Sequence, residues 1–413
     1  MAPFPPPPVN TIDWSNVGFR VREGPMQENC TYSDAQVNGH IESHYSVQTG
    51  KWTAPQFVAD PFIRIHGMAP ALNYGQQAYE GLKAFRTPSD SIQIFRPERN
   101  AQRMQHSAEY ISCPPVPTEL FLDAVKAAVA LNAEFVPPHE TGAAMYIRPQ
   151  IYGSSAQLGL SPPEEYMFCV YVLPTGVYHG THPVNGLILD EFDRAAPNGT
   201  GSAKVGGNYA PVLRWSDRAR SDGFGITLHL DSATHSEVDE FSTSGFIGAL
   251  TDGENVTLVV PDSKNAIKSV TADSITSIGE SFGWKVERRS IKYTELPQFS
   301  EVMAAGTAAA LVPIRSISRR FDPASSASIS SAIKQHPRLS AEGKLEKVTY
   351  IQDSQEDAGP ICLKLLSQLK GIQLGKVKDE FNWCTPVSEA DGQKVADVPK
   401  AANGNGQTID QMD

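Results

Sequence analysis

The sequence predicts two domains of mixed α+β and α/β class, a smaller N-terminal α+β domain (12–174) and a larger C-terminal domain (186–387). Three observations carry this reading. At 413 residues the chain has room for two ordinary hydrophobic cores. Runs rich in β-forming residues that stop at Gly or Pro alternate with apolar residues at helical spacing. Between the two halves, the Gly- and His-containing run from Thr175 to Asn185 reads as an interdomain connector (175–185).

Taken in order, residues 1–11 contain the proline cluster Pro5 to Pro8, which predicts an extended, flexible arm, with ordered chain beginning near Ile12. IQIFRP (Ile92 to Pro97) predicts a strand and Glu98 to Ile111 a helix. Leu120, Phe121, Ala124, Val125, Ala128 and Val129 recur at helical spacing and predict a second helix, closed before Pro137 and Pro138. AAMYIRPQIYG and YMFCVYVLP read as strands. The second domain opens with the strand GLILD near Leu187. An amphipathic helix is expected beyond Pro211, with Val212, Leu213 and Ala219 on its apolar face and Asp217 and Arg218 on the other. ITLHL, FIGAL and VTLVVP then read as strands and TADSITSIGESFG as a helix, while GTAAAL taken alone suits ordinary helix packing. Pro360, at a tolerated first-turn position, opens a helix striped by Ile361, Leu365 and Leu369. SSASISSAIK (325–334) reads as a surface loop with a short helix. From Ser388 the apolar periodicity fades, so 388–413 is expected to be a disordered tail.

Composition narrows the function. An apolar fraction of 40% with 20% charged residues is that of a globular protein, and a net charge of −11 without a basic run argues against nucleic acid as a partner. No apolar run of about eighteen residues is present to suggest a membrane partner. The five cysteines are scattered with no CxxC pair, which implies neither a disulfide framework nor a zinc site. Small molecules are the expected partners.

The candidate for chemistry is Lys204, in GTGSAKVGGNYAP. Glycines on both sides let backbone and a cofactor approach the amine closely and hold it away from bulk water, the setting that makes a lysine nucleophilic. A phosphate loop of the GxxxxGK[ST] kind requires Ser or Thr after the lysine, and Val205 stands there. A lysine that forms a Schiff base with an aldehyde cofactor needs an anion site, a group at the ring nitrogen and a hydroxyl at the phenolic oxygen. Glu240 lies between Val238 and Phe241 on an expected strand; it suits the ring nitrogen if buried, and is a solvated edge carboxylate if not. Tyr209 lies five residues beyond the lysine. Arg103, the turn Ser269-Val270-Thr271 and Gly306-Thr307-Ala308 are candidate anion donors.

The ordered blocks LNYGQQAYEGLKAFR, IQIFRPERNAQRM, MYIRP, GSAKVGGNYAP, DEFSTSGF and AAGTAAALVPI resemble the branched-chain amino acid aminotransferase family, pyridoxal 5'-phosphate enzymes of fold type IV, over roughly Ile12 to Pro386. The resemblance implies Lys204 as Schiff-base lysine and proton shuttle, Glu240 at the pyridine nitrogen and Tyr209 at the phenolic oxygen. Arg103, Val270, Thr271 and Thr307 would hold the phosphate. Tyr74, Tyr79, Tyr178 and Tyr209 would form an apolar side-chain pocket near Thr243. Tyr146 with the backbone N–H groups of Thr307 and Ala308 would take the α-carboxylate, and Arg148 the distal carboxylate of glutamate or 2-oxoglutarate. A ping-pong transamination between an apolar L-amino acid and 2-oxoglutarate, in a homodimer, is the implied activity.

The segment Glu240-Phe241-Ser242-Thr243-Ser244-Gly245-Phe246 departs from the family's E-x-G-x-x-N-x-F pattern, lacking its glycine and its asparagine. The CxxC pair of some animal members is replaced by Ala309 and Val312. The proline-rich start and FSTSGFIG are similar to fungal members, some of which serve specialised metabolite pathways. A D-amino acid or (R)-amine transaminase, an aminodeoxychorismate lyase of the same fold, and a catalytically silent binding relative stand as alternatives. With neither an Arg-rich leader nor a C-terminal SKL signal, a cytoplasmic location is expected, with a mitochondrial one left open.

Overall fold

The structure, a computed structural model, describes residues 4–14, 17, 20–21, 32–33, 37–176, 182–320, 336–342 and 344–397. Tyr178, the stretch 325–334 and the end of the tail therefore lie outside the described residues.

The first unit is a curled sheet built on β1 (His40–Ser46), β2 (Gln56–Val58), β3 (Gln77–Tyr79), β4 (Leu82–Arg86) and β5 (Ile92–Phe95). Helices α1 (Pro97–Tyr110) and α2 (Thr118–Ala130) follow, then the long hairpin β6 (Ala144–Gly153) and β7 (Glu165–Thr175). Alternation along β6 is nearly ideal: Met145, Ile147 and Ile151 are buried on one face, while Tyr146, Arg148 and Gln150 look the other way. That outward-looking face is the one the site uses. The buried face packs on Phe121, Val125 and Ala128 of α2, making the first core.

The second unit contains β8 (Val184–Ile188), α3 (Leu213–Ser221), β9 (Ile226–Leu230), β10 (Val238–Phe241), β11 (Gly245–Asp252) and β12 (Asn255–Pro261). It continues through α4 (Val270–Ser281), β13 (Lys285–Arg289), β14 (Glu301–Gly306), β15 (Ala310–Arg320), β16 (Leu345–Thr349) and α5 (Pro360–Gln373). Its sheet runs β10-β9-β8-β15-β14-β11-β12-β13, with β16 on β15. One core lies on each side: Phe241, Phe246, Phe299 and Ile314 on one, and α4 and α5 on the other. The α4/α5 core also takes in Phe85, Phe95 and Ala144 of the first unit, so the two units share buried apolar surface.

The structure corrects several expectations. Residues 4–12 are docked: Phe4, Val9 and Ile12 pack on the first core, and Pro6 O accepts from Arg86 Nη2 at 3.0 Å. Arg86 is buried, so its guanidinium needs acceptors, and the proline arm, free of N–H groups there, supplies a carbonyl. GTAAAL is the turn of the β14–β15 hairpin, with Gly306 opposite Ala310, because flanking AAG and LVPI pair as strands. Leu213 is 61% exposed while Val212 and Ala219 are buried; α3 is short, and one turn does not carry all three to one face. The chain's end returns to the first unit: β17 (Cys384–Val387) pairs with β5. Beyond it, Ser388 and Asp391 form a capping box on the helix Glu389–Gln393, and Ala396–Asp397 pairs with β2, so order extends past Ser388.

Candidate active site

Lys204 lies in the loop 189–212, which passes between the two units. Its backbone is held from both directions: Lys204 O accepts from Tyr79 N at 3.1 Å, Lys204 N donates to Ser107 Oγ at 2.9 Å, and Val205 bridges Ala78. Asn208 staples the loop internally, donating to the carbonyls of Thr200 (2.7 Å) and Ala203 (2.9 Å) and accepting from Thr200 Oγ1. Gly201 is required here, since a Cβ would lie 2.4 Å from Asn265 O. The glycines thus serve close packing, and the amine is aimed by a fixed backbone.

Around the amine are aromatic rings and two buried carboxylates. Nζ donates to the Tyr209 hydroxyl at 3.1 Å and lies 4.6 Å from the centre of the Tyr79 ring, which meets Tyr209 edge-on. Burial, then Tyr209, push the Tyr79 hydroxyl far above its ordinary range, so it stays protonated. Glu240 is buried although β10 ends the sheet; its Oε1 takes Arg194 Nη1 at 2.6 Å and Ile267 N at 3.2 Å. Burial raises its pKa to about 7, against the pull of Arg194, Ile267 N–H and Lys204. Glu80 is the second carboxylate, fully buried, gripped by Arg103 Nε and Nη2 at 2.6 and 2.7 Å and by Asn100 at 2.7 Å. Burial opposes ionisation there too, but Arg103, with Lys204 and Asn100, holds Glu80 below the usual carboxylate range.

Beside this cluster a pocket open to solvent is lined by Lys83, Asn100, Val270, Thr271, Gly306 and Thr307 among others. Val270 and Thr271 begin α4, whose first N–H groups have no intrahelical partner. Ser269 caps α4, accepting from Ala272 N at 3.1 Å, and its hydroxyl donates to Ala305 O, tying the helix to β14. Arg96 fastens α4 to the first unit through Ser274 (2.7 Å) and Asp273 (2.8 Å). Arg103 Nη1 donates to Lys268 O at 3.1 Å, which places the guanidinium beside the same turn. Thr243 O would be 3.3 Å from a Cβ on Gly306, so Thr243 borders the Gly306–Thr307 turn. Lys83 donates to Ala308 O at 2.5 Å and fixes that turn from below.

On the same side, Arg148 lies over the rings of Tyr79 (5.0 Å) and Tyr146 (5.1 Å), and its Nη2 donates to the Tyr146 hydroxyl. Its Nε is buried and unbonded, and among the described residues no carboxylate is in ion-pair contact with it. Gly81 is the residue that admits Tyr146: a Cβ would sit 2.1 Å from its hydroxyl oxygen.

The structure therefore brings Tyr79, Arg103, Tyr146, Arg148, Lys204, Tyr209, Glu240, Thr243, Val270, Thr271, Thr307 and Ala308 to the space between the two units. Tyr74 it does not: at the end of the short helix Pro70–Tyr74 it is 45% exposed, and its hydroxyl donates to Leu158 O. Sequence reasoning missed Glu80, Asn100, Lys83 and Arg194. Glu80 and Lys83 stand inside AYEGLKAF, and a charged residue within an apolar strand pattern was their signal.

The class IV amino-transferase model matches residues 77–317. The aminotransferase poxL of Penicillium oxalicum is 50% identical over 94% of this chain and 97% of its own. The branched-chain amino acid aminotransferase gloG of Glarea lozoyensis is 47% identical over 94% and 99%. Among solved structures, the branched-chain amino acid aminotransferase of Escherichia coli superposes with a TM-score of 0.64 at 21% identity, covering 84% of this chain and 99% of that one. The T.th. enzyme complexed with N-(5'-phosphopyridoxyl)-L-glutamate gives 0.65 at 22%, covering 86% and 100%. These likenesses show the two-domain fold of type IV aminotransferases. Such enzymes depend on pyridoxal 5'-phosphate, and the residues here fit it: unpaired helix N–H groups facing a cavity, an amine fixed against a tyrosine hydroxyl, and a carboxylate buried nearby. The family model and the relatives show that the chain belongs to the class IV aminotransferases as a pyridoxal-phosphate-dependent transaminase.

Proposed function

We propose that the protein moves the amino group between an apolar, branched-chain-type L-amino acid and 2-oxoglutarate. The observation that carries this is Arg148: a half-buried guanidinium among Tyr79 and Tyr146, without a carboxylate of its own, near the Lys204 amine. Such a group selects a substrate's distal carboxylate, while the surrounding rings suit an apolar side chain. One pocket then serves both halves of a ping-pong exchange. The printed name of gloG supports the same class of donor.

When bound, pyridoxal 5'-phosphate supplies the aldehyde that takes up the amino group and the electron sink for the charge left at Cα. Lys204 would hold it and, when released, its Nζ would take the proton from the substrate's Cα and return it on the far side of the amino nitrogen, one amine serving as base and then acid. Tyr209, already hydrogen-bonded to Nζ, would face the phenolic oxygen, and Glu240 would face the ring nitrogen. Arg103 and the backbone at Val270, Thr271 and Thr307 would hold the phosphate. Tyr146 and the N–H groups of Thr307 and Ala308 would orient the α-carboxylate, and Thr243 would border the pocket.

The working form is a homodimer. Around Tyr74, Leu72 (62%) on the same short helix, Leu158 (68%), whose carbonyl accepts from the Tyr74 hydroxyl, and Leu160 (86%) are exposed apolar residues. Tyr74 is exposed and bonded to Leu158 O, and a second copy covering these residues would receive it in its pocket. Incubation with leucine, isoleucine, valine, phenylalanine and an (R)-amine, each with 2-oxoglutarate, tests the substrate reading. Glutamate formation fastest with a branched L-donor is expected; turnover of the (R)-amine alone would overturn it.

A further inference from the structure

We infer that Arg194 is the positioning residue that draws Glu240 toward its ionised form opposite the cofactor's ring nitrogen. The inference rests on the placement of Glu240 proposed above. Arg194 precedes Lys204 in the same loop and is buried; Nη1 meets Glu240 Oε1 at 2.6 Å and also donates to Gly201 O at 3.3 Å. Its guanidinium carbon lies 5.7 Å from the Tyr209 ring centre. One side chain thus joins the Glu240 carboxylate, the face of the Tyr209 ring and the loop that aims the amine.

The need for such a residue follows from burial. A carboxylate enclosed away from water takes a proton unless a cation or donors compensate. The groups that face Glu240 are few. Asp239, its neighbour on β10, opposes ionisation, and Lys204 and the Ile267 N–H favour it. His229, opposite Glu240 across the β9–β10 pair, gives no charge: both ring nitrogens are buried without partners, and burial, aided by Arg194, lowers its pKa to about 3. Among the described residues, Arg194 is therefore the cation in direct contact. Even with it, burial holds Glu240 at about 7. A protonated Glu240 would face the ring nitrogen as a hydrogen-bond donor and leave the ring uncharged, weakening both its hold and its power as a sink.

The test uses the full chain freed of cofactor, as wild type, R194A, R194K, E240Q and R194A/E240Q, with far-UV circular dichroism to verify folding. The first readout is the infrared band of the protonated carboxyl that E240Q abolishes, titrated without cofactor. Its midpoint is expected to rise by about one pH unit or more in R194A, and less in R194K. The second is equilibrium binding of pyridoxal 5'-phosphate: R194A should bind about tenfold or more weakly at neutral pH, with the deficit shrinking as pH rises, and R194A/E240Q should bind like E240Q. An unmoved carboxyl midpoint in folded R194A, or losses that add in the double variant, would overturn the inference. Should R194A fail to fold, R194K decides on the same midpoint. A wild type that binds no cofactor would contradict the amino-transfer reading instead, since the infrared titration needs none.

Discussion

The buried pair Glu80–Arg103 shows how a residue can matter without touching the reacting atoms. Two of the guanidinium's nitrogens are spent on one carboxylate, so its third, Nη1, is locked beside the Ser269–Thr271 turn. Removing the carboxylate would leave a buried guanidinium uncompensated. Glu80→Gln is expected to cost about 3–5 kcal/mol of stability, read as the urea midpoint, and to weaken cofactor binding as Arg103 turns away. A variant with unchanged midpoint and affinity would contradict this account. Lys204 and Tyr209 were legible because both stand in one short glycine-rich block. Arg194 was not, since nothing local marks an arginine whose partner lies tens of residues away; Glu80 carried only its place within an apolar strand pattern, which names no partner.

Elements explain why those residues meet. Helix α4 starts where Ser269 accepts from Ala272 N, and the same hydroxyl reaches β14, so the cap couples helix start to hairpin turn. Ser269→Ala should cost about 1 kcal/mol, measured by denaturant unfolding, and loosen the hold on the phosphate. The turn at Gly81 makes a different prediction. An alanine Cβ there would collide with the Tyr146 hydroxyl, which also receives Arg148. Gly81→Ala should therefore displace Tyr146 and Arg148, the side chains proposed to bind the carboxylates, and lower kcat/KM about 10²-fold, with stability nearly kept; a loss confined to stability would contradict it. Strands and helices with strong periodicity, such as β6, β7 and α2, were readable from sequence. The β14–β15 hairpin was not, because Ala308, Ala309 and Ala310 favour helix locally and the pairing of the two arms with each other and with β11 and β8 overrides that.

At the scale of the molecule, two units share a core through Phe85, Phe95 and Ala144, and the chain's end closes on the first sheet through Cys384–Val387. That return was illegible in sequence, since a four-residue strand announces no partner. The exposed patch around Leu72 and Leu160 is expected to be the dimer face. Leu160→Asp should shift the protein toward monomer in light scattering and reduce turnover, because Tyr74 would no longer reach a partner's pocket. A monomeric variant of full activity would contradict the shared site.

The most direct measurement is at Lys204 itself. Borohydride reduction of the purified protein carrying pyridoxal 5'-phosphate, followed by peptide mass spectrometry, should place a phosphopyridoxyl group on the peptide containing Lys204. Folded Lys204→Ala protein should carry no such group and show no glutamate formation. A label on another lysine, or full turnover in Lys204→Ala, would contradict the account.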